Sequence, residues 1–183
     1  MNNLAELLSV PIDRKEIETE WEKQVQSVPN HVWDSRNYVD ESFFTDYFKN
    51  LLNTITQQVG ANPKNFVIQV HDKRLVDKKW YLNITHKDDD RLTCVTIPIL
   101  YTKMEPIRFY DDSIVPPQRG KHITEKPIQT SAYSDKYPTL VNVNHWHNVR
   151  LIDDTNPRIL LQISYDEDFD SIVGLDSSKW NIL

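Results

Sequence analysis

His86, Lys87 and Asp88 set an imidazole and a carboxylate two residues apart, and on a β-strand residues i and i+2 leave the chain on the same side. Such a pair can reach one cation if the chain turns over Asp88–Asp90. Strand parity sends Trp80, Leu82, Ile84 and His86 to one face, so the imidazole points to where a core is expected. His147 shares a face with Val149 and Leu151 and also points inward; His145 has the same parity and competes with it. Eleven residues past His147 stands Arg158, the length of a strand, a turn and a return. On that returning strand Ile159, Leu161, Ile163 and Tyr165 occupy one face, and Arg158, Leu160, Gln162 and Ser164 the other. A guanidinium on the polar face can hold a carboxylate with its planar fork. Each residue alone also has an ordinary structural role: a hydrogen-bonded core histidine, a solvated turn of aspartates, an arginine pairing with Asp153 or Asp154 at a strand edge. Arg91 either closes a turn on Asp89 or supplies a second carboxylate donor.

The elements that must position these groups follow from hydrophobic periodicity. Phe43, Phe44, Tyr47, Phe48, Leu51, Leu52, Ile55 and Val59 recur at helical spacing and predict one strongly amphipathic helix, started by Asp40 or Ser42 and stopped by Gly60. Ile17, Trp21 and Val25 predict a shorter, charged surface helix over about 14–26. After Pro63, β-branched and aromatic residues come in short runs, predicting strands Phe66–His71, Trp80–His86, Leu92–Leu100, Ile107–Tyr110, Ile128–Tyr133, Thr139–Val143, His147–Ile152 and Arg158–Tyr165. Between them, Asp111–Pro127 reads as a long loop over the site. The expected architecture is one domain over 1–183, mainly β with N-terminal helices: a helical part over 1–62, a jelly-roll core over 63–165 and a tail over 166–183.

Composition removes several function classes. The chain has 183 residues and a formal net charge of −6, from 21 Lys+Arg against 27 Asp+Glu, which points away from nucleic acid. Clusters such as Lys73, Arg74, Lys78 and Lys79 read as solvated faces. Three scattered glycines make neither a dinucleotide fingerprint nor a P-loop. One cysteine, Cys94, allows no intrachain disulfide and no thiolate-rich metal site, so any metal must take His, Asp or Glu. The absence of a long apolar run predicts no membrane partner and a soluble, cytoplasmic protein.

His86-Lys87-Asp88, then His147 61 residues after the first histidine, then Arg158, all expected on strands in this order, resembles the iron(II)- and 2-oxoglutarate-dependent oxygenases. The stretches His86–Pro98, Pro138–Val149 and Arg158–Leu161 look most like the small oxygenases of phages and marine microbes, and more distantly like aspartyl/asparaginyl and prolyl hydroxylases. The resemblance covers roughly Phe66–Tyr165. It implies a double-stranded β-helix, a cupin-like jelly roll, with His86, Asp88 and His147 holding Fe(II) at its mouth and three positions left open. It implies 2-oxoglutarate as cosubstrate, chelating iron through its keto acid end, with its far carboxylate on Arg158; Arg91 is a further candidate donor to that carboxylate, and Thr93, Tyr101 or Ser164 are the candidates for a second hydroxyl partner. The implied partners are 2-oxoglutarate, dioxygen and an unidentified small molecule or protein side chain whose C–H bond is hydroxylated. The Pro138-x-Leu140-x-Asn142 lead and the strand from Asn148 favour His147 over His145. The Arg stands at +11 and lacks a Ser or Thr two residues on. The competing reading is a cupin-like metal-dependent isomerase or sugar-binding module, which has no need of a fixed guanidinium opposite the metal.

Overall fold

The computed structural model describes residues 3–72, 74–76, 85–100, 106–113, 125–149 and 157–174, and the backbone of 180–181. The expected strand Trp80–His86 and the expected loop Asp111–Pro127 lie largely outside these residues, as do Tyr101 and the end of the strand expected over His147–Ile152.

Two helices cover one sheet. In α1 (Arg14–Ser27), Asp13 caps the start by accepting from the Glu16 amide. The amphipathic helix α2 (Asp46–Val59) buries Phe48, Leu52, Ile55 and Val59 and ends at Gly60, whose φ of 74° is the left-handed conformation that glycine adopts without a Cβ clash. Its start differs from the expectation. Asp40 caps a separate 3₁₀ turn, Glu41–Phe43, by accepting from the Ser42 amide, and α2 begins two residues past Phe44. Helix α1 lies on the surface with one face down: Ile17, Trp21 and Gln24 are buried where it packs on the same sheet as α2, and the rest of the helix is exposed or partly exposed. A short helix, α3 (Phe169–Gly174), adds Phe169 and Ile172 to this core.

The strands are β1 (Ala5–Leu8), β2 (Arg36–Val39), β3 (Asn65–His71), β4 (Thr93–Leu100), β5 (Ile107–Phe109), β6 (Gln129–Ser131), β7 (Thr139–Asn142), β8 (His147–Asn148), β9 (Arg158–Tyr165) and β10 (Trp180–Asn181). They form two antiparallel sheets, one of seven strands in the order β10-β1-β7-β4-β9-β3-β2 and one of three in the order β6-β5-β8. The protein is thus mainly β. No described helix is long and apolar enough to cross a membrane.

The two faces of the large sheet go to different cores. Val95, Ile97 and Ile99 of β4, with Ile159, Leu161, Ile163 and Tyr165 of β9, pack against the helices. Cys94 and Val141 face the other way and join Ile107 and Phe109 of the small sheet in a second cluster. With both faces covered, β4 is buried from Thr93 to Ile99, and of these residues only Thr93 and Thr96 carry a side-chain oxygen. Pro98 cannot donate to a ladder, and the register against β9 shifts between Pro98 and Leu100. Arg14 of α1 donates to the Pro98 and Ile99 carbonyls, each at 2.5 Å, tying that irregularity to the helix layer.

Candidate metal centre

The polar face of β9 opens onto a cavity of about 250 Å³ on the side of the large sheet away from the helices, and both His86 and Arg158 line it. Antiparallel register explains who shares this face. Ser164 lies opposite Cys94, and Gln162 opposite Thr96 on one side and Val67 on the other. Gln69 comes from β3, Val141 from β7 and Ile107 from the small sheet, with Tyr133 just past the end of β6.

His86 and His147 are locked together by backbone. Each amide donates to the other's carbonyl, at 3.0 and 2.9 Å, forming an isolated antiparallel bridge that brings their rings to 4.5 Å between centroids. The Asp88 amide donates to the Val143 carbonyl at 3.0 Å, so the turn after His86 is fixed to the loop that leads into β8. The outcome is a group of two imidazoles and one carboxylate whose candidate ligand atoms all lie within 4.8 Å of one another. Neighbouring ligands held at ~2.1 Å from an ion stand ~3 Å apart, a contraction that small side-chain rotations supply. Among the described residues this group can hold a metal ion.

Hydrogen bonds orient the candidate ligands His147 and Asp88. His147 Nδ1 lies 2.8 Å from the His145 carbonyl, which assigns the ring proton to Nδ1 and leaves the Nε2 lone pair for a metal. His145 itself stands outside the ligand group, 3.6 Å from Asp112; its part is played by its backbone. Asp88 is divided between two tasks. Oδ2 accepts from Arg91 Nε at 2.7 Å, while Oδ1 faces His86 Nε2 at 3.4 Å. Burial alone would raise the Asp88 pKa, but the hydrogen bond with His86 and the charge of Arg91 outweigh it and hold the carboxyl well below its usual range. For His147 burial wins, with His86 adding to it, and its pKa falls to about 4. The site therefore keeps an ionised carboxylate and a neutral imidazole together at neutral pH, the protonation states that metal ligation needs.

Arg91 neither pairs with Asp89 nor stands free. It is buried with Asp88, and its Nη1 also donates to Ser164 at 3.1 Å. Arg158 is different. It is buried, and among the described residues it donates to the neutral Gln69 Oε1 at 3.3 Å and meets no carboxylate. Burial makes that charge costly and lowers its pKa to about 10, opposed only by the nearby Tyr133 hydroxyl, itself pushed up to about 12 by desolvation. Thr93 is not brought to the cavity: its hydroxyl donates to the Glu167 carbonyl at 2.8 Å, and Thr96 lines the cavity instead. Gln69, Tyr133 and Arg36 join the lining without having been expected there. Parity along its strand signals Gln69, whereas Arg36 stands on a four-residue strand and Tyr133 just past a three-residue one, both too short to carry a period.

No family model matches the sequence, and no curated protein matches it.

Proposed function

We propose that the protein is a non-haem Fe(II)- and 2-oxoglutarate-dependent dioxygenase on a double-stranded β-helix. The observation that carries this reading is the pairing, in one cavity, of a two-histidine, one-carboxylate ligand set with a buried guanidinium that has no carboxylate of its own among the described residues. A facial set of three ligands leaves positions open for a chelating cosubstrate and dioxygen, as non-haem iron oxygenases require. The donor set of hard carboxylate and borderline imidazole suits Fe(II). When bound, iron and 2-oxoglutarate supply oxidative decarboxylation to succinate and carbon dioxide, coupled to hydroxylation of a C–H bond.

This chain's own residues bind, orient and exclude water. His86, Asp88 and His147 hold the metal. Arg158 holds the far carboxylate of the cosubstrate, replacing a marginal contact to Gln69 by a charge-assisted fork, and Tyr133 offers a hydroxyl beside it. The apolar wall of Ile107, Val141, Val143 and Val149 keeps water from the reacting end. At about 250 Å³ the cavity is below the ~300–1,000 Å³ of drug-sized sites, which fits a small cosubstrate with only part of a substrate entering. A lone buried cysteine, Cys94, agrees with a reducing cytoplasmic setting.

Anaerobic addition of Fe(II) and 2-oxoglutarate tests this directly. A weak visible charge-transfer band that needs both additions, and succinate formation on admitting air, are the expected results. Metal binding without any 2-oxoglutarate binding would instead select the cupin-like isomerase or sugar-binding reading.

A further inference from the structure

Charges around the cavity do not balance once the cosubstrate is placed. Among the described residues its lining holds three guanidiniums, Arg36, Arg91 and Arg158, and one carboxylate, Asp88. Arg91 is committed to Asp88 at 2.7 Å, and under the proposed function Arg158 is committed to 2-oxoglutarate. Arg36 is left over. It stands on the edge strand β2, in register with Gln69 of β3, so its side chain leaves on the cavity face of the sheet. Its Nε and Nη2 nitrogens are both shielded from solvent, and neither makes a hydrogen bond among the described residues. These two N–H groups form one edge of the guanidinium, the edge that takes an oxyanion side-on through two parallel bonds.

The nearest carboxylate does not fill that edge. Asp90 Oδ2 lies 3.5 Å from Arg36 Nη2, and it already accepts from the Tyr38 hydroxyl at 3.1 Å. Its side chain is 38% exposed, so water screens what charge attraction remains. A guanidinium with two buried, unsatisfied donors beside a weakly held carboxylate is a place where an arriving anion gains more than it displaces.

Resting on the oxygenase reading, we propose that Arg36 anchors the substrate, a small molecule carrying a carboxylate or phosphate that docks on the Nε/Nη2 edge. A polyanion is disfavoured by the chain's net charge of −6, whereas a small anion within the cavity feels the guanidinium at contact while the other surface charges are screened over ~8 Å.

The test titrates inorganic phosphate, acetate and neutral acetamide into nitrogen-labelled protein loaded with Zn(II), a diamagnetic stand-in, and 2-oxoglutarate, following the arginine Nε–H resonances. The Arg36 resonance, assigned by its loss in Arg36→Lys, is expected to move saturably with phosphate or acetate and to ignore acetamide; which anion binds tighter names the substrate group. Arg36→Gln should weaken binding of that anion at least tenfold, read by tryptophan fluorescence, and Asp90→Asn should tighten it several-fold by removing the competing carboxylate. An Arg36 resonance that stays still while 2-oxoglutarate binds overturns the anchor and leaves the oxygenase standing. Saturable movement of Arg36 in Zn(II)-loaded protein that fails to bind 2-oxoglutarate keeps the anion site and removes the oxygenase reading.

Discussion

Arg158 and Arg91 wall the same cavity in opposite states, one facing only an amide oxygen and the other clamped to Asp88, so their removal has different expected effects. Under the proposed function, Arg158→Ala takes away a charge-assisted fork on the cosubstrate in a largely dry site, a loss on the order of 2–5 kcal/mol. Binding of 2-oxoglutarate, followed by calorimetry on metal-loaded protein, is expected to weaken by roughly 30-fold or more, with metal affinity nearly unchanged. Arg158→Lys recovers part of the loss, since ammonium keeps the charge without the fork. Arg91→Met acts on the metal instead: Asp88 loses the donor that holds Oδ2, and metal affinity should fall by about 10- to 100-fold, as for other groups that orient a ligand from behind. The two histidines near β8 separate by the same reasoning. His147→Ala removes a ligand, whereas His145→Ala keeps the backbone carbonyl that orients His147 and should leave metal binding close to the parent. Loss of metal in the His145 variant with retention in the His147 variant would reverse the assignment.

At the level of elements, α2 closes the core over β4 and β9, and Phe48→Ala there should cost about 3–5 kcal/mol in urea unfolding. Gly60→Ala should cost about 1 kcal/mol, because an added Cβ meets its own backbone at φ 74°. Legibility in the sequence follows the strength of the local period. The amphipathic stripe of α2 and the alternation along β9 are both readable, and the alternation alone is enough to put Arg158 and Gln162 on one face. Helix α1 reads as a surface element because Glu and Lys dominate it; the two residues that decide its burial, Ile17 and Trp21, are only one contact line wide. Strands β1 and β2 have four residues each and exist through partners, β7 and β3, that lie far along the chain. Within the site, the HxD pair and the distal histidine are legible from spacing. The Arg91–Asp88 clamp is not, since a short turn leaves Asp88, Asp89 and Asp90 equally placed to accept.

For the molecule as a whole, the site makes stability depend on pH in one direction. Folded His147 has its pKa depressed from 6.5 to about 4, so between those values the unfolded chain binds a proton that the folded chain does not, and stability falls as pH drops through that window. The full effect is at most about 3.5 kcal/mol, from ~1.4 kcal/mol per pKa unit. Asp88, depressed below its ordinary 3.8, removes further stability at still lower pH. Chelator-treated protein unfolded in urea at pH 7, 5.5 and 4.5 should show the decline, and His147→Asn should flatten it; a parent curve flat over this range contradicts the buried neutral imidazole. Exposure is uneven across the same three ligands. The His86 side chain is 46% exposed while that of Asp88 is 6% exposed and His147 is buried. An ion sitting among them therefore has one labile bond facing water and two sheltered ones behind it, so exchange is expected to proceed by His86 swinging out first. His86→Ala should then shorten the residence time of the ion more than it lowers the rate of capture, leaving a protein that loads metal readily and cannot keep it.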